Sequence, residues 1–216
     1  MAKFTEAQKQ GRRQEILAAA GRCFARNGFH STTVTDIVRE SGVSQGTFYL
    51  YFATKDDVIA ALADDRSQGD ALVNAIAAAE ADPVAGLAVL FDLHGRTLGD
   101  AALADERRVT IQGWAEALRN EPVRQVLSAN LARVQQQIAQ LIARGQASGQ
   151  FRADAEPEGL ARTLMALFRG LTLLTALEGG FDPALTAKSI EDMVRGALQP
   201  VRGPRGPDDG SQEDAR

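Results

Sequence analysis

The chain has 216 residues, long enough for one large helical domain or two small ones, with 44% hydrophobic residues for a core and 24% charged residues for a solvated surface. A net charge of −4 argues against a general nucleic-acid coat protein, and a single cysteine, Cys23, rules out an intramolecular disulfide framework and suits a reducing cytoplasm. The N-terminus lacks the apolar core of a signal peptide, and no run of about 18 apolar residues could span a bilayer, so a soluble cytoplasmic protein with no membrane partner is expected.

The charge is unevenly placed. Residues 1–55 carry eight Lys/Arg against four acids, so a basic head precedes an acidic body. Residues 1–10 are polar and read as a frayed lead-in. From Gly11 the pattern turns helical, with Ile16, Ala20, Cys23 and Phe24 recurring at three- and four-residue steps and Arg12, Arg13, Arg22 and Arg26 largely off that face. Asn27-Gly28 is a helix stop. Cys23 lies on the apolar stripe with no Cys or His nearby in sequence, which reads as a small buried core residue.

Thr33 begins a second helix: its hydroxyl can accept from the free N–H groups of the first turn, and Asp36 favours the positive end of the helix dipole. Ile37 and Val38 supply the buried side, and Gly42 can take the left-handed conformation that ends the helix. Val43 then plugs inward and Ser44 caps a short third helix, in which Phe48 and Phe52 fall four apart on one face. Two short helices joined by a glycine turn, behind a longer buttress, make a helix-turn-helix layout, with uncharged hydrogen-bonding side chains where base edges would be met. An ordinary helical hairpin with a buried aromatic core leaves Tyr49 and Tyr51 unexplained.

The run T-T-V-x-x-I-V-x-x-S-G-V-S-Q-G-T-F-Y-x-Y-F-x-x-K, from Thr32 to Lys55, resembles the DNA-binding head of the TetR family of bacterial transcriptional repressors, and the likeness covers about Arg13 to Leu62. The resemblance implies that Thr33 and Lys55 contact phosphates at the two ends of the motif, and that Ser44, Gln45, Gly46, Thr47 and Tyr49 meet the DNA. An ammonium beside a helix start and a phenol are both good phosphate donors, and Gln45 could pair with an adenine edge. Leu50 stands where many relatives carry a polar or basic residue; it reads a thymine methyl or contributes nothing.

Thr54 caps the next helix, with Asp56 and Asp57 in its first turn as dipole partners rather than metal ligands, and Val58, Ile59 and Leu62 inward. The helix is expected to run past Ala71, Leu72 and Ile76 towards Asp82-Pro83, and the resemblance makes it the lever between head and body. Pro83 to Leu98 carries Leu87, Leu90, Phe91, His94 and Leu98 on one stripe, and Asp105–Asn120 places Ile111, Trp114 and Leu118 together. A long helix comes next, from Glu121-Pro122 to about Ser148, with Val123, Leu127, Leu131, Val134, Ile138 and Leu141 inward and Gln135, Gln136 and Gln137 solvated. Gly145 and Gly149 are expected to end it.

From Glu156-Pro157 the polar face nearly vanishes, with Leu160, Leu164, Met165, Leu167, Phe168, Leu171, Leu173, Leu174 and Leu177 covering most of the helix. Such a helix needs burial on every side, and a second copy of the chain is the economical cover. With the last helix, through Ile190, Met193, Val194 and Leu198, it would form a four-helix dimer seam built from Leu164, Leu167, Leu171, Leu174, Ile190 and Val194, as the family resemblance also implies. Residues 199–216 are rich in Pro, Gly and charge and read as a disordered tail.

The expectation is therefore an all-α protein of about nine helices: a helix-turn-helix DNA-binding domain (1–53), a ligand-binding and dimerisation domain (54–198), and the tail. The expected function is that of a homodimeric repressor, released from a palindromic operator in double-stranded DNA by a small-molecule effector. A regulator without a ligand is the alternative. An effector site is expected around Phe91, His94, Trp114 and Phe168, which combine aromatic bulk with a few polar handles. No cofactor or metal is implied. An enzyme is disfavoured, since only His30 and His94 could serve as imidazole bases and no glycine loop, metal-spaced cluster or activated nucleophile is present.

Overall fold

The computed structural model describes residues 5–68, 82–178 and 182–199. Among them are nine α-helices, one short 3₁₀ turn and no strand. They are α1 (Glu6–Ser31), α2 (Val34–Ser41), α3 (Gln45–Tyr51), α4 (Lys55–Gln68), α5 (Pro83–Gly99), α6 (Ala104–Ala117), α7 (Glu121–Ala147), α8 (Pro157–Leu177) and α9 (Pro183–Leu198). The far half of the expected lever helix, with Ala71, Leu72 and Ile76, lies outside the described residues, as does the tail beyond Gln199.

Local chemistry fixes the helix starts. Thr5 caps α1 in a reciprocal box with Gln8, so the helix begins at Glu6 instead of fraying to Gly11: a polar lead-in holds a helix when its first orphan N–H groups are satisfied. Asp82, Asn120 and Glu156 cap α5, α7 and α8, with Pro83, Pro122 and Pro157 in the first turn, where a missing N–H costs nothing. Gly145 does not end α7. It sits inside the helix against the Phe151 ring, which occupies the space a Cβ would take, while Gly149 supplies the left-handed turn (φ 73°) after the helix.

Two hydrophobic clusters form. One lies in the body, where Leu87, Leu90 and Phe91 of α5 meet Ile138, Leu141 and Ile142 of α7, Leu164 and Phe168 of α8, and Val194 of α9. The other is built by Ile16, Leu17, Phe24, Ile37, Phe48 and Phe52, and it is completed by Val58, Ile59 and Leu62 of α4, Val109 of α6 and Val123 of α7. The DNA-motif helices thus share their core with α4 and with two body helices.

Three expected faces turn out differently. In α6, Leu118 is 84% exposed, and the side chains buried on this helix are Val109 and Glu116. Gln137 of α7 is only partly solvated, with its Oε1 buried, while Gln136 is exposed as expected. The third is α8, which is long and apolar enough to cross a membrane by length and composition, contrary to expectation. It is nonetheless two-sided: Leu164, Met165, Phe168 and Leu171 are buried in this chain's own core, while Ala166, Gly170, Leu173, Leu174 and Leu177 form an exposed stripe. Leu164, Leu171, Ile190 and Val194, expected in a seam with another chain, are buried in the core that this chain builds with α5 and α7. Of the expected seam residues, Leu174 faces outward and Leu167 is partly buried.

Candidate nucleic-acid interface

The motif is held by caps at each turn of the chain. Thr33 Oγ1 accepts from Asp36 N at 3.2 Å and donates to Asp36 Oδ2 at 2.7 Å, while Asp36 Oδ2 also accepts from Thr33 N at 3.0 Å. These bonds hold the Asp36 carboxyl below the usual carboxylate range, first through the Thr33 hydroxyl. Gly42, with φ 69°, closes α2. Ser44 then caps α3, accepting from Thr47 N at 3.1 Å with its hydroxyl 2.8 Å from that of Thr47. Glu40 ties α2 back to α1 by accepting from Arg22 at 2.7 Å and Arg26 at 2.5 Å.

This scaffold sorts the short helix α3 into two sides. Phe48 and Phe52 are buried and in contact, their rings 6.0 Å apart, with the Arg13 guanidinium over Phe52. Gln45, Gly46, Tyr49 and Leu50 are exposed, Tyr49 by 50% and Leu50 by 82%. Tyr49 keeps one edge of its ring against Phe48, 5.4 Å between centroids, and leaves the rest to solvent, whereas Leu50 is apolar surface that packs on little of the fold.

Two expected phosphate contacts are already engaged. The Thr33 hydroxyl is held in its cap, and Lys55 is turned inward: its Nζ donates to the carbonyls of Phe29 (2.6 Å), Thr32 (2.9 Å) and His30 (3.4 Å). Lys55 closes the C-terminal end of α1, where carbonyls lack helical partners and the dipole favours a cation. Sequence spacing gave no hint of this, because its partners lie 23 to 26 residues away.

In the body, three of the four expected effector residues come together. Phe168 of α8 packs edge-on to Phe91 at 5.6 Å and lies 4.2 Å from the His94 ring. Burial pulls the His94 pKa down to about 4, partly offset by the Phe168 backbone, and its Nε2 is buried without a partner. Trp114 is not among the residues packed against this cluster. A groove of about 560 Å³ that includes Phe91 opens on the outside between α5 and α9, lined also by Asp92, Arg96, Lys188 and Glu191.

Residues 16–62 match the sequence family described as bacterial regulatory proteins, tetR family, and residues 97–199 match the BetI-type transcriptional repressor C-terminal family. The chain belongs to the TetR family. A stretch of 56 residues is 46% identical to the transcriptional regulator YfiR of Bacillus subtilis, an alignment covering 26% of this chain but only 27% of that protein. Likeness along the whole length is lower. The regulator UidR of Escherichia coli K12 is 26% identical over 196 residues, covering 90% of this chain and 95% of that one. A transcriptional regulator from Saccharomonospora viridis, solved in complex with choline, superimposes with a TM-score of 0.75 at 28% identity, over 88% of this chain and 98% of that one. The TetR-family relatives are DNA-binding transcriptional regulators and not enzymes.

Proposed function

We propose that the protein is a cytoplasmic, homodimeric repressor that binds a palindromic operator through two copies of α3 and leaves it when a small molecule enters the body. The observation that carries this reading is a pair of unmatched surfaces on one chain. Gln45, Tyr49 and Leu50 stand out from the capped motif, and Leu173, Leu174 and Leu177 of α8 with Leu185 and Met193 of α9 form an exposed apolar face. Joining two copies across the α8–α9 face would present two α3 helices related by a two-fold axis, which suits half-sites about 34 Å apart.

In this reading Gln45, Gly46, Tyr49 and Leu50 meet bases and backbone, and Thr33, Ser44 and Thr47 meet phosphates with hydroxyls that also cap their helices. Lys55 supports the site by ordering the end of α1. The effector enters beside Phe91, His94 and Phe168 by parting α5 from α8, with His94 Nε2 as its polar handle; the aromatic faces would suit an organic cation such as choline.

The test is selection of duplexes from a random-sequence library with the full-length protein, then light scattering of the free and bound forms. An enriched inverted repeat bound by two chains is expected. Enrichment of no sequence, or binding by a single chain, would overturn the reading. Choline, titrated into the bound complex, is the first effector probe.

A further inference from the structure

We infer that Gln112, carried on body helix α6, is a positioning residue for the DNA-reading motif, its side-chain amide splicing the break in α1 at Gly28. The inference rests on the DNA-binding reading and adds the body contact that sets where the motif begins.

At Gly28 the backbone takes φ 77° and ψ 166°, a conformation that only glycine adopts readily, and α1 is kinked there. Beyond the kink Phe29 turns inward, its ring 4.6 Å from that of Phe24. Its N–H leaves the helical ladder and donates to Gln112 Oε1 at 3.0 Å, while Gln112 Nε2 donates to the Phe24 carbonyl at 3.3 Å. One amide therefore bridges both sides of the break, accepting from beyond it and donating to the turn before it. The orientation is fixed by chemistry, because reversing the amide would set donor against donor and acceptor against acceptor.

The splice leads directly into the motif. Thr32 Oγ1 donates to Gly28 O at 2.8 Å and to Cys23 O at 3.3 Å, and Lys55 clasps the carbonyls of Phe29 and Thr32 from the other side. The next residue, Thr33, caps α2. The end of α1 is thus gripped by α6 through Gln112 on both sides of the kink, and by α4 through Lys55, which also reaches the Thr32 carbonyl just before α2. A crevice of about 440 Å³ runs alongside, lined by Gly28, His30, Gln112, Glu116 and Arg119, so the contact lies beside the surface. A displacement of α6 would pull on the Phe29 N–H and reach α2 five residues later, a route separate from the lever helix α4.

Two variants of the full-length protein test this. Gln112→Met keeps the shape and removes the amide; Gln112→Glu keeps an acceptor for Phe29 N–H and loses the donor. Hydrogen exchange of the free protein should show residues 29–41 exchanging about tenfold faster in Gln112→Met, less so in Gln112→Glu, with the α7–α8 amides unchanged. Affinity for the duplex selected by the wild-type chain should fall about tenfold in Gln112→Met with partial recovery in Gln112→Glu. Wild-type exchange and affinity in Gln112→Met would overturn the inference, as would a uniform rise in exchange through head and body. Should no duplex be selected, the DNA-binding reading fails while the exchange result still decides the splice.

Discussion

Lys55 shows how one side chain can be committed by its surroundings. Its ammonium satisfies carbonyls that the end of α1 leaves open, so Lys55→Met should lower unfolding stability by about 1–3 kcal/mol, read by urea denaturation. A pure phosphate clamp would instead leave stability unchanged and reduce only the salt dependence of DNA binding. His94 gives a prediction of opposite character. Its folded-state pKa of about 4 lies below the ordinary 6.5, so between those values the unfolded chain binds more protons and stability falls as pH drops. At pH 5 the loss attributable to this group is on the order of 2 kcal/mol relative to neutral pH. Comparing His94→Leu with wild type at pH 7.5 and pH 5 should show the variant losing less; equal losses would place the sensitivity elsewhere. The sequence marked both residues as notable but could not give their roles, since each is defined by atoms brought from other helices.

At the scale of elements, the motif was the most legible part. Thr33, Gly42 and Ser44 cap through bonds spanning three or four residues, and such short-range chemistry is written in the sequence itself. The faces of α6 and α8 were less so. In α6 the stripe of Ile111, Trp114 and Leu118 was as good a helical period as Val109, Gln112 and Glu116, and the head beneath it selects the second. The hairpin of α7 and α8 has its own lock, Phe151 over Gly145 and Gln146 Nε2 donating to Arg152 O and Ala155 O, and Arg152 N ties it to the end of α9 by donating to Leu198 O at 2.8 Å. A Cβ at Gly145 would stand 2.0 Å from the Phe151 ring, so Gly145→Ala should cost about 1–3 kcal/mol by displacing it. Thermal denaturation checks this, and Gly145→Ala combined with Phe151→Ala should recover part of the loss to overpacking.

For the whole molecule, the two hydrophobic clusters do not respect a division at residue 53. Val58, Ile59 and Leu62 of α4 belong with the motif, and Val109 and Val123 reach it from the body, so the head has no closed core of its own. This sharing gives a change in the body a mechanical path to α3. The same packing separates residues that hold one chain together from those free to hold two. Leu174→Glu with Met193→Glu should give a folded monomer by light scattering and weaken operator binding, because both side chains are exposed. Leu164→Ala, fully inside the body core, should cost about 2–5 kcal/mol of stability without placing a charge on the outer face. If the double glutamate variant stays dimeric, the seam lies elsewhere.

The sequence by itself determined the all-helical class, the caps and turn of the motif, and the membership its residues announced, because each depends on neighbours a few positions apart. Tertiary structure alone decided the inward turn of Lys55, the reach of Gln112 across the break at Gly28, and which leucines of α8 remain exposed. A side chain's reach and the choice between two equally periodic faces depend on which helix lies opposite, and that is settled only when the whole chain packs.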